Sequence, residues 1–151
     1  MKLIEEFLAL KRIAVVGVSQ RPQDFSRMLF RELASRGYDV VPVHPVAQEI
    51  EGRPCFARIQ EVFPPVEGAL VMTRPAATYT VVRDCAAAAV ARVWMWGGAG
   101  KSAASPEALA VCETRGLRVI AGECPFMFLP AAGWIHRLHG MVLKIAGAYP
   151  A

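Results

Sequence analysis

The residues best suited to chemistry in this sequence follow its first long apolar run. That run, 13–16, is followed by Gly17, Val18, Ser19, Gln20, Arg21 and Pro22. Glycine lets a ligand approach the backbone closely, a serine hydroxyl can donate a hydrogen bond, and arginine supplies a cation. The positive end of a helix that begins just afterwards would add to the attraction for an anion. The segment therefore predicts a loop that holds phosphate or pyrophosphate, the alternative being a polar turn without a ligand.

Three later apolar runs also end in residues that could contact the same ligand. These residues are Val43, His44 and Pro45 after the second run, Thr73, Arg74 and Pro75 after the third, and Trp96 and Gly97 after the fourth. In an open parallel sheet, ligands bind beyond the carboxyl ends of the strands, where the strand order reverses. We therefore expect the four segments to converge on one site.

The apolar runs predict the strands that would position these loops. They lack polar alternation, as expected for parallel strands covered on both faces, and they span 12–17, 39–43, 68–73, 92–96 and 117–120. Pro42 cannot donate a ladder hydrogen bond, so the second strand lies near an edge of the sheet or meets a gap in its pairing.

Between the predicted strands, apolar residues recur at helical spacing. It predicts helices over 3–10, 24–35 and 76–90, a weak helical stretch over 57–62, and a helix opened by Ser105 and Pro106. Gly37 is placed to end the second helix in a left-handed conformation. The alternation of strands and helices along the chain predicts a Rossmann-like α/β fold with a doubly wound, five-stranded parallel sheet, in a single domain over 1–151. A stripe in the last segment predicts an extra C-terminal helix, formed by Trp134, Leu138, Met141 and Ile145.

Composition narrows the classes of partner. The chain has 17 basic and 13 acidic residues and a net charge of +4, without a basic block that would follow a nucleic-acid backbone. Glu5 and Glu6 interrupt the N-terminal apolar stretch, which argues against a signal peptide or a membrane span. The four cysteines form no Cys-x-x-Cys pair. We expect a cytoplasmic protein with an anionic small-molecule ligand, and neither nucleic acid nor a membrane as partner.

Two common nucleotide-binding patterns are incomplete. A dinucleotide loop needs Gly-x-Gly-x-x-Gly and a carboxylate at the end of the second strand, but only Gly17 is present and Asp39 lies at the start of that strand. The segment GGAGKS at 97–102 has Met95 where a P-loop needs its first glycine. An NTPase is therefore disfavoured, and an NAD(P)-binding oxidoreductase or redox sensor remains the alternative.

The loop sequences resemble those of a known family. IAVVGVSQRP, Ser26, Leu33, Gly37-Tyr38, VVPVHP and Gly52-Arg53-Pro54 are together similar to the small CoA-binding proteins. Those proteins are single-domain relatives of the nucleotide-binding domain in the succinyl-CoA synthetase alpha subunit. The likeness covers roughly 10–130 and implies coenzyme A or an acyl-CoA as the ligand.

The resemblance also implies roles for individual residues. Gly17, Val18, Ser19, Arg21 and Pro22 would line the phosphate region, and Ser26 and Arg27 would add donors. Val43, His44 and Pro45 would pack against the adenosine, although the family more often has Asn-Pro, so the ribose contact is open. Thr73, Arg74 and Pro75 match a loop that borders the ligand. Trp96 and Gly97 match less well, because the family usually has a polar residue between tryptophan and glycine.

The sequence shows no clear pair of nucleophile and base. Ser19 and His44 could approach each other, but a polar ligand contact is the favoured use of both. His136 and His139 share a helical face, yet two ligands do not make a metal site. Cys124 could form a mixed disulfide with the pantetheine thiol or be a buried structural cysteine. We expect a non-catalytic CoA-binding protein, which could act as a homodimer or as a subunit of a partner enzyme.

Overall fold

The structure is a computed structural model that describes residues 1–97 and 102–130. Its helices are α1 (Lys2–Leu8), α2 (Phe25–Ser35), α3 (Pro75–Ala87) and α4 (Pro106–Arg115). Its strands are β1 (Arg12–Val16), β2 (Asp39–Val43), β3 (Glu49–Ile50), β4 (Arg53–Pro54), β5 (Gly68–Val71), β6 (Arg92–Met95) and β7 (Arg118–Ala121). Short 3-10 helices cover Ile59–Glu61 and Pro125–Met127. None of the helices in this part of the chain is long and apolar enough to cross a membrane.

The main sheet has five parallel strands in the order β2-β1-β5-β6-β7. The chain leaves β1 in one direction to form β2 and then returns across β1 to form β5, β6 and β7. This order confirms the predicted doubly wound, Rossmann-like sheet. The strand order reverses between β1 and β5, so the expected ligand position lies at their carboxyl ends.

β2 is an edge strand, the first of the two alternatives that Pro42 predicted. The carbonyl of Pro42 accepts a hydrogen bond from the Phe56 N–H at 3.1 Å, outside the main sheet. In a parallel strand the N–H and C=O of one residue point to the same side. The missing donor of Pro42 therefore faces away from β1 and costs the sheet no ladder bond.

The core lies on both faces of the sheet. Ile13 and Val15 pack with α1 and α2, whereas Ala14 and Val16 pack with α3 and α4. Successive side chains in a strand point to opposite faces, so two covered faces require an apolar residue at every position. This packing explains why the sequence of β1 shows no polar alternation.

Local signals set the ends of the helices. Gly37 has φ +89° and follows α2 in the predicted left-handed conformation. Ser105 caps α4 by accepting a hydrogen bond from the Ala108 N–H at 3.1 Å, and Pro106 is the first helical residue. These predictions are confirmed.

The segment between β2 and β5 differs from the sequence prediction. β3 and β4 form a short antiparallel hairpin that was not predicted, because two-residue strands are too short to show alternation. Its turn residues, Glu51 and Gly52, both have positive φ, at 51° and 73°. The weak helical stretch over 57–62 is a single 3-10 turn. The stripe of Trp134, Leu138, Met141 and Ile145 lies outside the described residues.

Candidate functional site

A cleft of about 580 Å³ opens at the carboxyl ends of β1, β2, β5 and β6. It brings together most of the predicted site residues, namely Gly17, Val18, Ser19, Arg21, Ser26, His44, Pro45, Thr73, Arg74 and Gly97. Its volume falls within the range of about 300–1,000 Å³ that is typical of small-molecule sites. The cleft thus lies where the reversal of strand order predicts a ligand.

Five predicted residues do not line this cleft: Pro22, Arg27, Val43, Pro75 and Trp96. Val43 is 3% exposed and packs in the core on the α3 face of the sheet. Trp96 packs against the core on the other face, and Pro75 is the first residue of α3. Arg27 and the Pro22 carbonyl instead form hydrogen bonds beside the cleft. These five residues lie next to the cleft in the sequence, but they do not line it.

Gly17 is required by the close approach of two loops. Its φ is +87°, and a Cβ atom there would lie 2.9 Å from Thr73 Cγ2 and 3.1 Å from the Met72 carbonyl carbon. Both the left-handed backbone and the lack of space exclude a larger residue without distortion. Gly17 therefore lets the β1–α2 loop, residues 17–24, lie directly against the loop that follows β5.

Ser26 holds the β1–α2 loop rather than offering a free donor. Its hydroxyl accepts a hydrogen bond from the Ser19 N–H at 2.8 Å and donates to Asp24 Oδ1 at 2.7 Å. Asp24 Oδ1 also caps α2 by accepting from the Ser26 N–H at 2.9 Å. Ser26 is only 3% exposed, so these internal bonds use the donor that the sequence assigned to a ligand.

Among the described residues that line the cleft, Asp24 is the one with an acidic side chain. Burial would raise its pKa, but the hydrogen bonds from the Ser26 side chain and backbone, with the nearby charge of Arg21, outweigh burial and lower the pKa. The carboxylate is therefore ionised at neutral pH and committed to the cap.

Arg21 and Arg74 supply the positive charge of the cleft. Both are exposed, and neither guanidinium makes an ion pair or a hydrogen bond within residues 1–97 and 102–130. Arg12 and Arg58, in contrast, are paired with Asp39 and Asp84 at 2.6 Å. Two unpaired cations at one cleft, against one capping carboxylate, favour an anionic ligand.

Donors on the β1–α2 loop complement these cations. Ser19 Oγ accepts a hydrogen bond from the Arg21 N–H at 3.1 Å, which leaves the hydroxyl proton available for a ligand. The Gln20 N–H has no protein acceptor in the described part of the chain. Thr73, across the cleft, is different: the Thr78 hydroxyl donates to the Arg74 carbonyl, so Thr73 Oγ1 donates to Thr78 Oγ1 at 2.7 Å.

His44 takes the hydrogen-bonding role of an asparagine. Its Nδ1 accepts from the backbone N–H groups of Val46 at 3.1 Å and Ala47 at 3.0 Å. This is the pattern of an Asx turn, with an imidazole nitrogen in place of a side-chain oxygen. Because Nδ1 is an acceptor, the neutral ring carries its proton on Nε2, which is therefore a donor. The same tautomer cannot take a proton from Ser19 through Nε2.

Several residues that line the cleft were not among the individual ligand contacts expected from the sequence. They are Gln20, Asp24, Phe25, Met72 and Ala77. Gln20 and Asp24 belong to the β1–α2 loop and could have been found by including every residue of that loop. Nothing in the sequence separates Met72 or Ala77 from the apolar residues of the core.

The other candidate groups lie apart from the cleft. Cys124 is 6% exposed in the core beside α1 and α2, and burial raises the pKa of its thiol, so its environment favours the structural interpretation. Among the described residues, no cluster of three or more His, Cys, Asp or Glu side chains could hold a metal ion. His136 and His139 lie outside those residues, as does most of the GGAGKS segment. The α4 cap at Ser105 comes after that segment, as the sequence predicted.

Comparison with known proteins gives a family match over most of the chain. A family model described as a CoA binding domain matches residues 11–130. Uncharacterized protein YneT of Bacillus subtilis (strain 168) is 37% identical over 57 residues, which are 38% of this chain and 42% of that protein. The match thus spans less than half the length of that curated relative.

Solved structures share the fold. A conserved hypothetical protein from Pyrococcus furiosus is 28% identical with a TM-score of 0.68, over 76% of this chain and 95% of that one. The dinucleotide forming acetyl-coenzyme A synthetase 1 of Ca. Korarchaeum cryptofilum, in its apo form, is 26% identical with a TM-score of 0.66. That match covers 78% of this chain but 27% of the synthetase, so the likeness extends to about a quarter of the enzyme.

Proposed function

We propose, since this chain belongs to the CoA binding domain family, that its cleft binds coenzyme A or an acyl-CoA through the adenine nucleotide portion. Family membership confirms the resemblance seen in the loop sequences. The nature of the ligand in this chain rests on the cleft itself. The observation that supports it most directly is that Arg21 and Arg74, beside the donors of the β1–α2 loop, make no ion pair with any described residue.

The residue types at the carboxyl end of β2 favour coenzyme A over NAD. An NAD site places a carboxylate there to accept hydrogen bonds from the ribose hydroxyls. Here Asp39 lies at the opposite end of β2, where it pairs with Arg12 at 2.6 Å and Arg53 at 3.3 Å. His44 and Pro45 occupy the cleft end instead. A 3′-phosphate on the ribose would meet no repelling carboxylate at this position.

The cleft is suited to binding rather than to a chemical step. Asp24 caps α2, the Ser26 hydroxyl is used internally, and His44 Nδ1 already accepts two backbone N–H groups. We therefore propose that the protein carries or senses its ligand and that any reaction takes place on a partner. The synthetase to which it is similar contains the same fold as one part of a longer enzyme. Supplying this domain to a partner enzyme is thus a second arrangement of the same function.

Calorimetric titration of the purified chain with CoA, dephospho-CoA and NAD tests this proposal. We expect CoA to bind more tightly than dephospho-CoA by about 1.5–3 kcal/mol, the value of a hydrogen bond to a charged group. Equal affinities for CoA and dephospho-CoA would remove the 3′-phosphate from the site. Tight binding of NAD without binding of CoA would reject the proposal and restore the oxidoreductase alternative.

A further inference from the structure

Arg27 and Arg31 of α2 hold the carbonyl groups of the β1–α2 loop. Arg27 Nη1 donates to the carbonyls of Ser19 and Gln20, both at 3.2 Å. Arg31 donates through Nη1 and Nη2 to the Pro22 carbonyl, both at 3.1 Å. Three carbonyls of one short loop are thus bound by two guanidinium groups that do not line the cleft.

These bonds determine which backbone groups face a ligand. In a trans peptide the N–H points opposite to the C=O of the same unit. Holding the Ser19 carbonyl therefore turns the Gln20 N–H away from Arg27, and holding the Gln20 carbonyl does the same for the Arg21 N–H. The Arg21 N–H then reaches Ser19 Oγ, while the Gln20 N–H has no acceptor within the described residues. Carbonyl oxygens, which would repel a phosphate, are directed away from the available donor.

Glu51 fixes both arginines from a different element. Its Oε1 accepts from Arg27 Nε at 3.1 Å and Nη2 at 2.9 Å, and from Arg31 Nη1 at 2.7 Å. Its side chain is 26% exposed. The hydrogen bond from Arg31 is the main reason that its pKa is lowered, against the effect of burial and with help from Arg27. Glu51 lies at the tip of the β3–β4 hairpin, so this hairpin is tied to the β1–α2 loop through the Arg27–Arg31–Glu51 cluster.

We propose that Glu51 is a positioning residue for phosphate binding, acting through Arg27 and Arg31 on the backbone of the β1–α2 loop. This inference rests on the proposed function and assigns a part in it to the hairpin. Electrostatics alone makes the opposite prediction. A negative charge near an anion site weakens binding, so its removal would tighten binding if Glu51 acted only through its charge.

The test compares Glu51→Ala and Glu51→Gln with Glu49→Ala. Glu49 lies on the same hairpin, is exposed, and has no side-chain hydrogen bond or ion pair in the described structure, which makes it a matched control. The first measurement is amide hydrogen exchange over residues 17–24 in the ligand-free protein. The second is calorimetric titration with CoA, and thermal unfolding verifies that each variant is folded.

We expect Glu51→Ala to accelerate exchange in the β1–α2 loop and to weaken CoA binding by about three- to tenfold, the effect of one lost hydrogen bond. Glu51→Gln keeps an oxygen acceptor and should lie between Glu51→Ala and the wild type, whereas Glu49→Ala should match the wild type. Exchange in Glu51→Ala equal to that in Glu49→Ala would overturn the inference, as would tighter CoA binding in both Glu51 variants. If the wild type bound no CoA, the proposed function would fail, while the exchange comparison would still decide whether Glu51 holds the loop.

Discussion

Replacing Arg21 with alanine should weaken CoA binding by about 1–3 kcal/mol, or about five- to 150-fold in Kd. The lower figure reflects exposure: two unit charges 4 Å apart in bulk water interact by about 1 kcal/mol. The upper figure is that of a hydrogen bond to a charged group in a partly enclosed site. Arg21 is exposed in the free protein and forms no ion pair or hydrogen bond with described residues through its side chain. Its loss should therefore affect binding much more than stability.

The assay is calorimetric titration with CoA at two salt concentrations, with Arg115→Ala as the control. Arg115 is exposed in the last turn of α4 and likewise has no ion pair or hydrogen bond through its side chain among described residues. Because α4 ends just before β7 begins, Arg115 lies at the amino edge of the sheet, away from the cleft. Both variants lose one positive charge, and only Arg21→Ala should lose affinity and part of the salt dependence. Equal losses in the two variants, or none in Arg21→Ala, would refute a direct contact between Arg21 and phosphate.

Three further predictions concern residues whose backbone or side-chain contacts shape the cleft. Gly17→Ala should lower the free energy of unfolding by about 1–3 kcal/mol in urea denaturation, because its Cβ would lie 2.9 Å from Thr73 Cγ2 at φ +87°; stability equal to the wild type would show that the two loops move apart freely. The lowered pKa of Asp24 stabilises the fold above the unfolded-state value of 3.8 and ceases to do so as pH falls through the folded value. Asp24→Asn should therefore lose less unfolding free energy in acid than the wild type. An equal loss in the two proteins would contradict this. His44→Ala should weaken CoA binding by about two- to tenfold. His44→Asn should largely restore it, because the asparagine oxygen can accept hydrogen bonds from the same backbone N–H groups. Equal CoA affinities of the two variants would argue against a role of this turn in binding.

Local sequence was sufficient for most of the fold. The unbroken apolar residues of β1 predicted a parallel strand covered on both faces, and the two clusters of the core confirm that cover. Pro42 predicted an edge strand or a gap in pairing because it lacks a donor. Gly17 predicted a loop whose backbone a ligand can approach closely, because glycine has no Cβ. In each case the physical requirement acts on one residue and its immediate neighbours.

Contacts between distant segments decide which polar groups at the cleft are already hydrogen-bonded within the protein. Arg27 was expected to bind the ligand, but Glu51, which approaches it from another element, holds its guanidinium against the loop carbonyls. The Ser26 hydroxyl was expected to be free, but it is bonded to Asp24 and Ser19. Sequence shows that a donor exists without showing which acceptor comes nearest.

The amino-acid sequence by itself determined the alternation of helices with the five strands of the main sheet, the loop that begins at Gly17, and the excess of positive charge. Each of these follows from periodicity, backbone freedom or composition, which are properties of the chain before it folds. Tertiary structure decided that Arg21 makes no ion pair with any described residue while Arg27 is paired with Glu51, and that His44 Nδ1 accepts the backbone N–H groups of Val46 and Ala47. The reason is physical: a hydrogen bond is made over about 3 Å, and only the folded chain brings partners from separate elements within that distance.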